Sequence, residues 1–265
     1  MLYFVATPIG NLSEMSARAI ETLQSVDQIA CEDTRTSSVL LRHYNINKPL
    51  FSYHKFNEKA STCKIIDLLK AGNNIAVISD AGMPVISDPG NILVNELINN
   101  GLDYTVISGP CAFVNAFVLS GFSYPFSFIG FLPSKKSDAI KLLNSFKNTP
   151  SALIFYLAPH DIKPTLSVIN EVLGDRKICV VREISKKFEE VSFSTLSKGY
   201  NGIEKGEFVL IVDKGEEQNN LNNLEITQHF EYYIKNGLNK NDAIKQVAHD
   251  RKVKKDVVYK QINKL

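Results

Sequence analysis

Short apolar runs alternate with longer segments of helical period through the first half of the chain. The runs are rich in β-branched residues, and in the segments that follow them apolar positions recur every three or four residues. The four pairs lie at residues 2–6 and 17–23, 28–31 and 37–43, 74–78 and 91–98, and 103–107 and 111–119. This pattern is typical of an α/β fold with a largely parallel sheet.

The alternation resumes after a break that is rich in turn residues. The break has the sequence "SGFSYPFSFIGFLPSKKSD", and strand and helix patterns return at residues 152–156, 162–173, 178–181 and 208–212. A cluster of Gly, Pro and Ser between periodic segments indicates a boundary. We therefore predict an N-terminal α/β domain over residues 1–121 and a second α/β domain over residues 122–213.

The last fifth of the chain has a different pattern. Residues 214–225, "KGEEQNNLNNLE", are polar and rich in Asn, which is typical of a linker. Beyond them, apolar positions fall on three helical faces: Ile226, Phe230, Tyr233 and Ile234; Ala243, Val247 and Ala248; and Val253, Val257, Val258 and Ile262. We predict a small helix-turn-helix-like tail domain over residues 226–265.

Composition narrows the class of protein. The chain has 265 residues, of which 44% are apolar and 22% charged, enough for two α/β cores. The N-terminus carries no basic segment and no apolar stretch reaches the length of a membrane span, so we expect a cytoplasmic protein with no membrane partner. The four Cys and five His show no metal-ligand spacing, so no metal site is expected.

Positive charge is concentrated at the C-terminal end. The net charge is +2, yet residues 240–265 carry eight Lys and Arg against three Asp. Phosphate binding and a merely solubilising charged surface both explain this excess. Both interpretations stay open from the residues alone.

Three strand ends of the N-terminal domain carry loops that are rich in Gly and Pro. Their sequences are "ATPIGN", "SDAGMPVISDPG" and "SGPCA". Open α/β sheets bind ligands at the carboxyl ends of strands, and Gly82, Gly90 and Gly109 would let the backbone approach a ligand closely. Asp80 would accept hydrogen bonds from ribose hydroxyls or oppose a cationic ligand. The alternative is that these loops are capped turns.

Two charged segments also follow predicted strands. "CEDTRTS" contains Glu32, Asp33 and Arg35. The charged residues of "VREISKKFEE" are Arg182, Glu183, Lys186, Lys187, Glu189 and Glu190. A helix cap would explain Asp33, and a solvated surface would explain the second segment. A proton acceptor and phosphate-binding side chains are the functional alternatives.

An ordered series of motifs across residues 1–213 resembles the tetrapyrrole methylase superfamily, and within it bacterial enzymes that methylate ribosomal RNA. The motifs are "VATPIGNLSEMS", "CEDTR", "ISDAGMPVISDPG", "SGPCAFVNAFVLSGF", "GFLPSKK", "REISKKFEE" and "GEFVLIV". The resemblance implies a fold of two α/β domains with S-adenosylmethionine held in the cleft between them. It also implies methyl transfer to the 2′-oxygen of a cytidine ribose in the decoding region of small-subunit (16S) ribosomal RNA.

The resemblance implies site residues as well. The cofactor-binding residues would be Pro8, Asp80, Ala81, Gly82, Met83, Gly109, Pro110, Cys111 and Ala112. The candidates for proton transfer and phosphate binding are Glu32, Asp33, Arg35, Lys186 and Glu189. Cys111 and Met83 stand where the family usually has Ser and Thr, so their expected contacts are through the backbone.

Two residues depart from the family pattern. Leu157 and Asp161, in "YLAPHD", stand where the family has an acid and a base. Loss of both together leaves no unpaired charge. The resemblance further implies a homodimer, the commonest form of self-association. A corrin methyltransferase and a non-enzymatic nucleic-acid-binding regulator remain the alternative functions.

Overall fold

The computed structural model, which describes residues 1–215 and 220–263, contains two five-stranded sheets with their connecting helices and three further helices near the C-terminus. The chain divides into a unit over Met1–Lys214, which holds both sheets, and a unit over Gly215–Leu265. Within the described ranges, no helix combines the length and the apolar character needed to span a membrane.

The first sheet is entirely parallel and has the strand order β3-β2-β4-β1-β5. Helices cover both of its faces, so all four residues of β4 are buried and the strand is continuously apolar. The elements are β1 (Leu2–Val5), α1 (Ala17–Ser25), β2 (Gln28–Cys31), α2 (Thr34–His43), β3 (Leu50–Ser52), α3 (Glu58–Lys70), β4 (Ile75–Ile78), α4 (Asn91–Asn99) and β5 (Tyr104–Ile107).

The second sheet is mixed and has the order β6-β7-β10-β8-β9. Only β6 and β7 pair in parallel, and the other three pairs are antiparallel. The parallel pairing that was predicted from the first half of the chain does not continue in this sheet, because β10 inserts between β7 and β8 and residues 183–189 fold β9 back onto β8. The elements are α5 (Ala112–Ser120), β6 (Phe126–Gly130), α6 (Lys136–Phe146), β7 (Ala152–Leu157), α7 (Ile162–Leu173), β8 (Lys177–Arg182), β9 (Glu190–Thr195) and β10 (Phe208–Val212).

Helix α5 packs against the second sheet. Its Ala116 is fully buried in a cluster with Ile154, Val181 and Val209 from the central strands. The sequence pattern assigns this helix to a first domain that ends at residue 121, whereas its packing groups it with the second sheet. The loop between β5 and α5 therefore passes from one sheet to the other.

The second unit consists of α8 (Ile226–Lys235), α9 (Lys240–Asp250) and α10 (Lys255–Ile262), packed around Val247 and Val258. His229 is completely buried, its Nε2 lies 3.2 Å from a carboxylate oxygen of Asp250, and Arg251 donates from Nε to its Nδ1. Arg251 is thus engaged inside the unit. Residues 216–219 of the predicted linker and 264–265 of the predicted tail lie outside the described residues.

Candidate functional site

A cavity of about 290 Å³ opens between the two sheets of the first unit. One wall comes from loops that follow the first sheet's strands and from the loop before α5. Its residues include Glu32, Asp80, Ala81, Gly82, Met83, Asp88, Cys111 and Ala112. The opposite wall comes from the second sheet, with Phe131, Tyr156, Leu157, Ile184, Glu207, Phe208 and Val209. Both sheets therefore contribute to one site.

Backbone hydrogen bonds join the loop after β4 to the loop after β1. Thr7 N donates to the Gly82 carbonyl at 2.9 Å and Gly82 N donates back at 3.1 Å. Gly82 has φ +80°, and a Cβ there would lie 3.2 Å from Cγ2 of Ile9. This position therefore requires glycine for its backbone conformation and for the close approach of the two loops.

The loop after β4 holds further strained residues. Val85 and Ser87 have φ of +74° and +66°, and positive φ is unusual for a β-branched residue. Such conformations cost about 1–3 kcal/mol each and persist only where the surroundings enforce them. The carboxylate of Glu58 accepts a hydrogen bond from Gly90 N at 2.8 Å and so fastens the end of the loop. The loop is fixed in shape beside the cavity.

Three carboxylates, those of Glu32, Asp80 and Asp88, give this wall negative charge. Burial, with Glu32 nearby, raises the pKa of Asp88 to about 6. Burial also raises the pKa values of Glu32 and Asp80, with a further contribution from the charge of Asp80 at Glu32 and from that of Asp33 at both. A cationic ligand would relieve this repulsion.

Asp33 caps helix α2. Its Oδ1 accepts from the backbone N of Arg35 at 2.8 Å, and its Oδ2 accepts from Nη2 of Arg35 at 2.7 Å. These hydrogen bonds lower the pKa of Asp33 to about 2. Neither residue lines the cavity, although Asp33 N donates to Asp80 Oδ1 at 3.2 Å. The structure thus gives Asp33 the capping role that the sequence left as one alternative.

Lys186 is linked to the cavity wall by its hydrogen bond to Glu207. Its Nζ donates to Glu183 Oε1 at 3.0 Å and to Glu207 Oε2 at 2.9 Å, and Glu207 lines the cavity. A Cβ on Gly10 would collide with the Lys186 stem, so Lys186 also packs on the loop after β1. Glu189 lies outside the cavity wall, where it accepts a hydrogen bond from Ser185 N at 2.6 Å.

The remaining residues expected at the site lie beside the cavity. Pro8 follows Thr7, Gly109 packs against Ala6, and the Pro110 carbonyl lies close to Gly82, but none of the three lines the cavity. Residues 1–215 and 220–263 contain no group of three or more His, Cys, Asp and Glu that is arranged to hold a metal ion.

The residues of the cavity walls that sequence reasoning missed include Asp88, Phe131, Tyr156 and Glu207. Burial, more than the nearby charges, raises the pKa of the Tyr156 hydroxyl to about 12, and Asp88 and Glu207 both contribute to this shift. Asp88 belongs to the loop "SDAGMPVISDPG", so the sequence contained a local signal for this part of the site. Phe131, Tyr156 and Glu207 come from three separate segments, and only the sheet order brings them together.

Comparison by sequence finds close relatives over nearly the full chain. A sequence model of the family described as Tetrapyrrole (Corrin/Porphyrin) Methylases matches residues 1–199. A protein of Bacillus subtilis (strain 168) named Ribosomal RNA small subunit methyltransferase I is 44% identical over 270 residues, which cover 98% of this chain and 92% of the relative. A protein of the same name from Streptococcus pyogenes serotype M1 is 36% identical, with 100% and 95% covered.

Comparison by structure finds neighbours of the same fold. A uroporphyrin-III-C-methyltransferase from Thermus thermophilus matches with a TM-score of 0.56 and 16% identity over 80% of this chain and 94% of its own. A diphthine synthase matches with a TM-score of 0.65 and 12% identity over 81% and 90%. At this identity the likeness shows the fold alone, and it confirms the predicted fold class.

Proposed function

This chain belongs to the tetrapyrrole methylase family, and from that premise we propose that it transfers a methyl group from S-adenosylmethionine to a cytidine ribose 2′-oxygen of 16S ribosomal RNA. The relatives that carry a ribosomal RNA methyltransferase name support the RNA substrate, because the identity of 44% extends over 98% of the chain. The observation that carries the proposal is one cavity between the two sheets that has one acidic wall and one aromatic wall.

The acidic wall suits the methyl donor. Glu32, Asp80 and Asp88 complement a ligand with positive charge, while Ile9 and Met83 offer apolar contacts beside them. S-adenosylmethionine, when bound, supplies an activated methyl group on a positively charged sulfur. We infer that the backbone of residues 81–83 and 111–112 holds it, since the Cys111 and Met83 side chains carry no hydroxyl.

The acceptor hydroxyl must lose its proton as the new bond forms, and we propose Asp88 as the proton acceptor. Asp88 lines the cavity, and its negative charge contributes to the raised pKa of Tyr156 on the opposite wall. With a pKa of about 6, its carboxylate is ionised at neutral pH and remains close to the optimum for a general base. Such a base contributes about 10²- to 10⁴-fold to the rate.

Lys186 acts as a positioning residue in this scheme. It holds the Glu207 carboxylate at the cavity wall through the 2.9 Å hydrogen bond, while Glu183 anchors Lys186 from behind. Glu207 is then available to accept a hydrogen bond from the acceptor ribose. Direct proton transfer by Lys186 or Glu189 is less favoured by their positions.

A homodimer fits the exposed apolar surface of the first unit. Tyr104 and Val106 on β5 and Val114, Val118 and Leu119 on α5 are all exposed, and β5 and α5 are consecutive elements of the chain. Exposed apolar patches mark interaction sites. Light scattering should give about twice 29.6 kDa. Val118→Lys should shift the protein toward that monomer mass, and an unchanged monomer mass in both proteins would contradict the dimer.

A ribosomal substrate would place the protein in the cytoplasm.

The test combines binding with substrate choice. Calorimetry should detect S-adenosylmethionine binding to the full chain. Labelled methyl transfer is then measured with small ribosomal subunits, naked 16S RNA and a tetrapyrrole as acceptors. We expect RNA-dependent transfer and none to the tetrapyrrole. Transfer to the tetrapyrrole alone would favour a corrin-type methyltransferase, and cofactor-independent RNA binding would favour a regulator.

A further inference from the structure

A second cavity, of about 280 Å³, adjoins the first. The two cavities share Phe131, Tyr156 and Leu157 in their walls. Beyond these residues the second cavity is bounded by the segment before α6 and by the start of α7, including Ser134, Lys136, Asp161 and Thr165. A ligand in the second cavity would therefore lie next to a ligand in the first.

Phe131 stands at the junction of the two cavities. The β6–β7 register shifts between Phe128 and Gly130, and Gly130 has φ +74°. Such an irregularity re-aims the next side chain. The Phe131 ring lies 5.6 Å from the Tyr156 ring between centroids, yet Phe131 is 58% exposed. It thus contributes little to the core and offers an open aromatic face beside the methyl-donor site.

The far end of the second cavity carries Lys136 and the N-terminus of α6, together with the carboxylate of Asp161. Helix α6 has eleven residues and begins at Lys136, so its first backbone N–H groups lie beside Ser134 at the cavity wall. Lys136 forms an exposed ion pair of 2.8 Å with Glu171, whereas Lys135 is exposed and has no ion pair with any residue that the structure describes. A helix N-terminus with adjacent lysines attracts phosphate. The cavity therefore combines an aromatic end with an end that offers backbone N–H groups and a lysine to an anion.

We propose that the second cavity binds the acceptor nucleotide itself, with its base stacked on Phe131 and its phosphate at residues 134–136. This inference rests on the proposed function and names the subsite for its RNA substrate. A base stacked at the junction would place the nucleotide next to the first cavity, whose two walls carry Asp88 and Tyr156. Aromatic stacking requires an unstacked base, so the acceptor would be a single-stranded or extruded nucleotide.

The first experiment separates acceptor binding from donor binding. Phe131→Ala should raise the KM for small ribosomal subunits about 5- to 150-fold, as expected for loss of one stacked base. Its affinity for S-adenosylmethionine, measured by calorimetry, should stay within twofold, which also shows that the variant folds. Phe193→Ala is the matched control, because Phe193 is 62% exposed on β9 and lines neither cavity. The control should match the parent in both measurements.

The second experiment needs no catalysis. The chain contains no Trp, so Phe131→Trp introduces a single fluorophore at the junction. Cytidine 5′-monophosphate at millimolar concentration should quench it by stacking, whereas ribose 5-phosphate should not. Phe193→Trp serves as the control and should respond to neither compound.

The two experiments distinguish failure of this inference from failure of the proposed function. If the parent methylates no RNA but Phe131→Trp is quenched by the nucleotide, the proposed function fails and nucleotide binding stands. If the parent methylates small subunits while Phe131→Ala leaves the KM unchanged, the subsite assignment is overturned. Equal quenching at both Trp positions, or no quenching at Phe131→Trp, would also overturn it.

Discussion

The two walls of the cavity are built in different ways. The first wall consists of loops after parallel strands, in which glycine, positive φ values and backbone hydrogen bonds fix the shape. The second wall consists mainly of side chains carried on or beside the strands of a mixed sheet, with Tyr156 on β7 and Glu207 next to β10. The backbone wall suits a constant ligand such as the methyl donor. The side-chain wall suits recognition of a particular acceptor.

The largest expected effect comes from breaking the backbone wall. Gly82→Val places a branched side chain at φ +80° and against Ile9, 3.2 Å from the nearest atom, so the contact between the loops after β1 and β4 must open. We expect no measurable S-adenosylmethionine binding by calorimetry and no methyl transfer.

Gly72→Val is the matched control for that change. Gly72 has φ +88°, but a Cβ there meets nothing within 4 Å. Both variants carry a similar backbone strain of about 1–3 kcal/mol, and only one of them disturbs the site. If Gly72→Val loses binding as severely as Gly82→Val, the effect is general destabilisation and the importance of the backbone wall is refuted.

The next largest effect concerns Asp88, the proposed proton acceptor on the acidic wall. Asp88→Asn should lower the single-turnover rate about 10²- to 10⁴-fold. In the parent the base is active when deprotonated, so the rate should rise with pH through about 6 and level off above it. In Asp88→Asn this rise of the rate with pH should be absent. Asp103→Asn, outside the cavity, should keep it; a parental pH profile in Asp88→Asn would exclude Asp88 as the base.

A smaller effect is expected on the side-chain wall. Lys186→Met removes the ammonium that holds the largely exposed Glu207 carboxylate, so the KM for small subunits should rise about 2- to 12-fold, as for loss of one ordinary hydrogen bond. Donor affinity should not change, because Lys186 does not line the first wall. The neighbouring Lys187→Met provides the control, since Lys187 lies 5.7 Å from the Phe188 ring and bonds neither Glu183 nor Glu207. If both variants have the same KM, Lys186 does not position Glu207 for acceptor binding.

The smallest effect concerns the basic tail. Lys252 and Lys254 are exposed between α9 and α10, and their joint replacement by Gln should weaken RNA binding and flatten its salt dependence. The slope of log K against log salt should fall by about 0.7 for each lost phosphate contact. Replacing the exposed Lys59 and Lys70 by Gln in the same way should leave the slope unchanged. Identical slopes for the two double variants would support the solubilising role instead.

The sequence predicted the first sheet better than the second. Strands β1, β2, β4 and β5 are apolar runs and were predicted, whereas β3 has three residues and gives too short a signal. Strand β6 lies within a segment that is dense in turn residues, and β9 is a partly exposed edge strand with alternating polar residues, so both were missed. Helices α3 and α6 were also missed.

The same difference applies to the candidate site. Turn residues identified the loops of the first wall because glycine and proline act locally, within a few positions of the chain. The second wall depends on β10 lying between β7 and β8, which is a long-range property that no local pattern carries. Leu157 shows the limit: the family resemblance implies a lost acid at this position, but only the structure places Leu157 in the walls of both cavities.

The most direct test of the account is to identify the methylated nucleoside and to ask whether its formation is lost in Gly82→Val. Small ribosomal subunits that lack the modification are incubated with the full chain and S-adenosylmethionine, and the RNA is digested to nucleosides for mass spectrometry. The account predicts 2′-O-methylcytidine with the parent and with Gly72→Val, and none with Gly82→Val. A methyl group on a base, on another ribose, or appearing equally with Gly82→Val would contradict it.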